Sequence, residues 1–462
     1  MKLYFSLLLL FLGTFLSNAQ TKYVTVQSIE IIGNKKTREK IILRELDFEV
    51  GDTITNSNLT ARLALNQTLL MNADLFNSVE IDVQNVGNDF IDLTITVVED
   101  WYIFPLLAID FADRNFNIWW VEQNRAFNRI NLGLYLVHTN ITGRKDYLKA
   151  VGQVGYTQRV HLYYSRPYLN KAQTLGALFN VFYARNHEAG YTTQNNVLQF
   201  HRDDDDYLLK RLYLDVGLNY RPEIRSKHQL TLSYRDYNTT EMITSLNPDF
   251  FLNGKERLQY FALDYQFRYD KRDFSRYPMK GYYLEVSALK EGLGVFDEIN
   301  SLYVGGAVGK YWQAEKFSYG AVVRGRKGLM NQIQPYYNSR ALGYEQHFVR
   351  GYEYYVIDGQ DFIYSHLFAR VELFNREINL GKSMPIKAFK TLPLKFYWRA
   401  YTDHGYVNAP FHSENNSLTN TYLRSRGMAI DMVLYHDYVC RLEYSVNHLN
   451  ETGFYLHYNV SF

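Results

Sequence analysis

From Trp101 onward the chain repeats one pattern: short segments in which apolar and polar residues alternate. In "LQYFALDYQFRYD", Phe261, Leu263, Tyr265, Phe267 and Tyr269 share one face, and Ala262, Asp264, Gln266, Arg268 and Asp270 the other. In "LKFYWRAYTDHGYV", Leu394, Phe396, Trp398 and Ala400 oppose Lys395, Tyr397, Arg399, Tyr401 and Asp403. Side chains on a strand change face with period two, so the pattern predicts strands. A soluble sandwich alternates as well, with its polar face in water. Here the apolar faces gather Tyr, Phe and Trp toward strand ends, as membrane interfaces require, and the chain carries 41 Tyr, 29 Phe and 5 Trp. Beyond residue 19 no apolar run approaches the roughly 20 residues of a membrane helix. A mean hydropathy of -0.32 suits a barrel, whose lipid-facing and lumen-facing residues average out.

Strands are expected to start near residues 101, 129, 146, 161, 173, 208, 228, 258, 281, 301, 317, 362, 394, 423, 439 and 453. Backbone groups in hydrocarbon must be paired, so a spanning sheet has to close on itself. The expected fold is therefore a transmembrane β-barrel of about 16 antiparallel strands, over residues 101–462. An even count brings the C-terminus back to the side where the chain entered. Long loops at about 189–207, 241–257, 330–361 and 408–422 then fall on one side. Short links at 141–145, 170–172, 222–227 and 315–316 fall on the other, with 375–393 a long exception.

The segment before residue 101 differs. Residues 1–19 have the form of a secretory signal peptide: Lys2, an apolar run from Leu3 to Phe15, and Ser17-Asn18-Ala19 as a small-residue cleavage site. Cys440 is the sole cysteine, so no intrachain disulfide can form. In residues 20–100, strand patterns at 24–34, 76–86 and 90–100 flank helix patterns at 37–46 and 56–73. Thr37 is the expected N-cap of the first helix, with Ile41, Ile42 and Leu46 near one face. Leu59, Leu63, Leu70 and Ala73 are the expected inner face of the second. The order is β-α-α-β-β, a small α/β domain.

"IIGNKKTREKIILREL", Gly51-Asp52, "LFNSVEIDV" and "LTITVVED" resemble a POTRA domain, the polypeptide-transport-associated module of bacterial envelopes. "DKRDFSRYPMKGYYLEVSA" (Asp270 to Ala288) is similar to the Asp-x-Arg-Asp hairpin of the BamA/TamA-type outer-membrane assembly superfamily, with Asp270, Arg272, Asp273, Pro278 and Gly281 at the motif positions. "VRGY" (Val349 to Tyr352) resembles that family's sixth-loop motif, and residues 330–361 are the sixth long-side loop by the strand count. The resemblance implies that this loop folds back into the lumen and sets Arg350, Gly351 and Tyr352 against inward carboxylates. Parity on "FIYSHLFARVELF" turns Ile363, Leu367, Ala369, Val371 and Leu373 to lipid and His366, Arg370 and Glu372 inward. The family pattern then gives Glu372 and Asp403 as acceptors for Arg350, a pairing suited to a planar guanidinium. The ending "GFYLHYNVSF" alternates Phe454, Leu456, Tyr458, Val460 and Phe462, like the C-terminal signal of outer-membrane barrels.

The resemblance implies a protein of the bacterial outer membrane with its N-terminal domain in the periplasm. Such a protein assists insertion or translocation of polypeptides and has no cofactor. Its partners would be outer-membrane lipid, client polypeptides or barrel precursors, and periplasmic accessory proteins reached through the POTRA domain. The seam between the first strand (101–112) and the last (453–462) would be the gate. A dedicated export pore for one partner, and a scaffold barrel in an envelope complex, stay open as alternatives. The near-balanced charge of +2 implies no nucleic-acid partner. The run Asp203–Asp206 lacks the alternate spacing of a calcium loop and reads as a solvated charge run. No Gly-x-Ser-x-Gly elbow, Walker loop or His-Glu-x-x-His pattern occurs, so an enzyme is not expected.

Overall fold

The computed structural model describes residues 23–87, 89–296, 299–344, 347–384, 390–434 and 438–460. The expected signal peptide at 1–19 and the terminal Phe462 lie outside the described residues. The chain divides into two units, residues 1–35 with 45–99, and residues 36–44 with 100–462.

The N-terminal part runs β1 (Tyr23–Ile32), α1 (Glu39–Leu43), β2 (Thr53–Thr55), α2 (Asn56–Met71), β3 (Phe76–Gly87) and β4 (Phe90–Glu99). Its sheet has the order β2-β1-β4-β3, with β1 parallel to β4. The three-residue β2 is too short to leave an alternation in the sequence. Helix α1 is shorter than its pattern, and Arg38 rather than Thr37 holds the N-cap position. In α2, Leu70 and the following Ala73 are buried as expected, while Leu59 and Leu63 are half-buried. Asn66 shares that face and is fully buried. Its side chain accepts from the Asp47 backbone N–H at 2.7 Å and donates to the Asp47 carboxylate at 2.5 Å, so the buried amide is satisfied.

The second unit is one antiparallel sheet of sixteen strands among the described residues. They are β5 (Ile103–Phe111), β6 (Ile130–Thr139), β7 (Tyr147–Gly155), β8 (Thr157–Arg166) and β9 (Leu175–Asn186). After the hairpin β10 (Glu188–Gln194) and β11 (Val197–Arg202) come β12 (Leu209–Tyr220), β13 (Ser226–Thr239), β14 (Arg257–Asp270), β15 (Gly281–Glu291), β16 (Ser301–Ala314) and β17 (Phe317–Gly328). The short pair β18 (Arg340–Leu342) and β19 (Ile357–Asp358) precedes β20 (Asp361–Asn379), β21 (Thr391–Asn408), β22 (Leu423–Leu434), β23 (Tyr438–Asn447) and β24 (Thr452–Val460). Each of the sixteen begins within four residues of the start that alternation predicts. The long link expected at 375–393 shrinks because the ladder between β20 and β21 continues to Asn379 opposite Thr391.

The connections alternate between two ends of the sheet. The near end, where β5 begins and β24 finishes, carries the turns at 140–146, 167–174, 221–225, 271–280 and 315–316. The far end carries the loops at 112–129, 187–208, 240–256, 329–360 and 409–422. Along the strands one face is exposed and apolar, with Leu107, Ile109, Leu134, Val216, Leu218 and Val308 among its residues. The other face holds buried charge: Asp403, Asp431, Glu443, Arg370 and Arg399. An exposed apolar face of this extent is far beyond what a soluble monomer shows. Buried ions on the opposite face demand partners, and those partners define the site.

Candidate functional site

The far-end loop at 329–360 turns back over the inner face of the last strands. His347, at its middle, is half-buried beside Arg324 and Arg326, and desolvation with those two charges pulls its imidazole down to about 4. Val349 is buried against Leu342, Ile357, Phe362, Val407 and Leu423. The next residue, Arg350, is 3% exposed, and Asp403 on β21 is 0% exposed. Arg350 Nε donates to Asp403 Oδ2 at 2.7 Å, its backbone N–H donates to the same oxygen at 3.1 Å, and Nη2 reaches Oδ1. The guanidinium lies 3.8 Å from the ring centre of Tyr401. This forked contact with an aromatic plane behind it suits arginine and not lysine.

Gly351 has φ +85°, and a Cβ there would lie 3.3 Å from the Cβ atoms of both Ser425 and Ser445. The motif glycine is thus set by backbone conformation and by close approach to the inner wall. Its carbonyl accepts from Asn447 Nδ2 at 3.0 Å. Tyr352 is buried and donates its hydroxyl to the Arg424 carbonyl at 2.9 Å.

One expected acceptor is corrected. Glu372 does not meet Arg350: its register partner is Tyr397, whose hydroxyl donates to it at 3.3 Å. The strand opposite Asp403 supplies His366 instead, with Nδ1 2.7 Å from Asp403 Oδ2. Parity correctly turns Glu372 inward, but parity carries no height. Six residues of β20 separate it from His366, about 20 Å at the rise of a strand.

The near-end hairpin 271–280 is organised by its motif residues. Arg272 pairs with Asp270, Nε to Oδ1 at 2.8 Å and Nη2 to Oδ2 at 2.6 Å. Asp273 Oδ1 accepts from the N–H groups of Phe274, Met279 and Lys280 at 2.9, 3.0 and 3.2 Å. Gly281 has φ +103°, and a Cβ would meet the Lys271 carbonyl oxygen at 2.2 Å. Pro278 presents its carbonyl to Arg370 Nη2. The sequence reading missed what this hairpin holds. Tyr277 donates to Asp431 Oδ2 at 2.6 Å, and Asp431 also receives Arg399 Nε at 2.9 Å and Arg441 Nε at 2.7 Å. The inner wall therefore has two fully buried aspartates at two heights, one met by the far-end loop and one by the near-end hairpin.

The ends of the sheet, β5 and β24, share no ladder among the described residues. The far-end loop 112–129 carries the short helix α3 (Phe116–Val121), and it reaches β24. Asn117 Oδ1 accepts from the Leu456 backbone N–H at 3.0 Å. That N–H points away from β23, so a side-chain amide occupies a position that a neighbouring strand would take. The same loop grips the arginine-bearing loop. Arg114 donates to the carbonyls of Gly343, Tyr355 and Tyr354 at 2.5, 2.9 and 3.1 Å, and Asn115 Nδ2 donates to the Glu353 carbonyl at 3.0 Å. Asn117→Ala is expected to speed amide exchange at Leu456 by about three- to tenfold, the loss of one hydrogen bond worth about 0.5–1.5 kcal/mol. Hydrogen-exchange mass spectrometry of residues 452–460 reads this directly, and unchanged exchange would contradict the contact.

Two domain families match the sequence. The surface antigen variable number repeat, or POTRA domain, matches residues 24–100. The Omp85 superfamily domain matches residues 140–370, half of the chain. The chain belongs to the Omp85 superfamily. Barrels of this superfamily are outer-membrane proteins with periplasmic POTRA domains. Solved structures similar to this Omp85 chain include CdiB from Escherichia coli, 11% identical, with a TM-score of 0.56, covering 96% of this chain and 77% of that one. BamA from Haemophilus ducreyi lacking POTRA domains 1-3 is 15% identical, with a TM-score of 0.49, covering 95% of this chain and 84% of that one. No curated protein gives a significant match. The likeness to CdiB is one of fold. Of the terminal residues, Phe454 and Tyr458 are exposed on the outer face of β24 and Leu456 is half-buried. The four aspartates at 203–206 form a turn in which Asp203 Oδ1 accepts from the N–H groups of Asp205 and Asp206 at 2.8 and 3.1 Å.

Proposed function

We propose that this Omp85 protein assists polypeptides in inserting into or crossing the bacterial outer membrane, by lending the edge of its last strand to a client strand. In this reading residues 1–19 are a signal peptide, 20–100 a periplasmic POTRA domain open to accessory proteins, and 101–462 the barrel. The observation that carries it is the Leu456 N–H held by the Asn117 side chain instead of by a strand. A β-edge with main-chain donors facing away from its own ladder pairs with any incoming strand regardless of that strand's sequence. A side-chain contact worth about 1 kcal/mol is easily exchanged for such a ladder. The process has no covalent step. Arg350, Gly351, Tyr352 and Asp403 act as a lock that keeps the far-end loop inside and the inner wall rigid while the edge is in use. The hairpin residues Asp270, Arg272, Asp273, Pro278 and Gly281 brace the opposite end.

Depleting the protein in its own bacterium and quantifying the outer-membrane proteome tests this reading. A fall in many barrel proteins is expected. Loss of a single secreted protein would make it a dedicated export pore, and an unchanged proteome would make it a scaffold. Either of those results would overturn assisted insertion of many clients.

A further inference from the structure

Glu353 follows directly on the Val349–Tyr352 motif and is 3% exposed, and Glu443 on β23 is 1% exposed. Neither oxygen of Glu353 makes a hydrogen bond among the described residues, and nor does Oε2 of Glu443. The nearest arginines are committed elsewhere, Arg350 to Asp403 and Arg441 to Asp431. Two adjacent carboxylates in so dry a place are strongly unfavourable without a cation. The third group facing them is His457 on β24. Its Nε2 lies 3.0 Å from Glu443 Oε1 and 3.4 Å from Glu353 Oε1. One donor atom from each of the three lies within 4.8 Å of the others.

We propose that Glu353, Glu443 and His457 bind one divalent cation of the zinc class, which joins the far-end loop to the last two strands. Bonds of 2.0–2.1 Å in a tetrahedral zinc site set ligand atoms about 3.4 Å apart, close to the two separations found. A mixed set of carboxylate and imidazole favours first-row transition metals and zinc, whereas calcium takes six to eight oxygens. Three protein ligands leave a fourth position for water. Glu353 and His457 line a cavity of about 310 Å³ that has room for it. The Phe348 ring stacks on His457 with centroids 5.5 Å apart and an interplanar angle of 16°, fixing the imidazole plane. The cation would hold β24 from within, beside the edge that Asn117 touches from the other side. The proposal rests on these three side chains and not on the client-handling reading.

The test uses the full mature chain in detergent, stripped with a chelator and titrated with Co²⁺ and then Zn²⁺. Binding of about one equivalent, with the visible absorption of low-coordinate Co²⁺ and displacement by Zn²⁺, is expected. Glu353→Gln and His457→Ala should each weaken Co²⁺ affinity by more than about a hundredfold, since even outer partners of a metal ligand are worth ten- to hundredfold. Should a variant fail to fold, X-ray absorption on Zn²⁺-loaded wild type decides: a single imidazole among oxygen donors supports the site, and sulfur or several imidazoles overturns it. Wild type that takes up no Co²⁺ or Zn²⁺ above background, or binding that survives both substitutions, also overturns it and leaves His457 as a proton-bearing partner of the two carboxylates.

Discussion

Replacing Arg350 with alanine is expected to destabilise the folded barrel by about 3–5 kcal/mol, the cost of leaving a buried charge without its partner. Asp403 has no access to water and would keep only His366 at 2.7 Å and the backbone N–H of residue 350 at 3.1 Å, with its other oxygen left bare. The substitution also empties the space over the Tyr401 ring, so packing is lost as well as charge. Arg350→Lys should recover little, because an ammonium cannot serve both carboxylate oxygens and stack on the ring. Adding Asp403→Asn to Arg350→Ala should recover part of the loss, since removing both members of a buried pair costs far less than removing one. The midpoint of heat-induced unfolding in detergent, followed by gel mobility, measures all four proteins. An unchanged midpoint for Arg350→Ala would refute the lock.

Asp431→Asn should be at least as damaging. This carboxylate, 0% exposed, neutralises Arg399 and Arg441 and anchors Tyr277. Its neutral isostere leaves the buried Arg399 and the half-buried Arg441 guanidiniums sharing weaker acceptors, again at about 3–5 kcal/mol. The signature differs from that of Arg350→Ala. Release of Tyr277 should raise proteolysis and hydrogen exchange in the hairpin 271–280 while the far-end loop stays protected. Asp403 aligns with Ser425 and Asp431 with Tyr397, so six residues, about 20 Å, separate the two centres along the strands. Their effects should therefore add within about 0.5 kcal/mol. Exposure of the far-end loop by Asp431→Asn would show that the two layers are one.

Strand positions were legible because a sheet with one apolar and one polar face writes its period into every segment. The loop motif was legible because Gly351 and Arg350 each answer a constraint that few residue types can meet. Height along a strand was not: Glu372 and His366 both face inward, and only the ladder puts His366 opposite Asp403. Contacts between distant segments were likewise invisible. Tyr277 and Asp431 lie 154 positions apart, and Asn117 and Leu456 lie 339 apart. Neither pair follows from spacing, because both depend on where a turn or loop folds after it leaves its strands. The trio Glu353, Glu443 and His457 comes from three segments and has no sequence signature. Strand β2 was missed for a simpler reason, since three residues cannot display an alternation.

The central claim is that the outer edge of β24 receives client strands, and a photo-crosslinking residue placed there in living cells tests it most directly. With the crosslinker at position 456, the account predicts covalent adducts to other outer-membrane polypeptides that increase when Asn117→Ala frees the edge. Adducts confined to the protein's own β5 and loop 112–129, with no foreign polypeptide captured in either background, would contradict it.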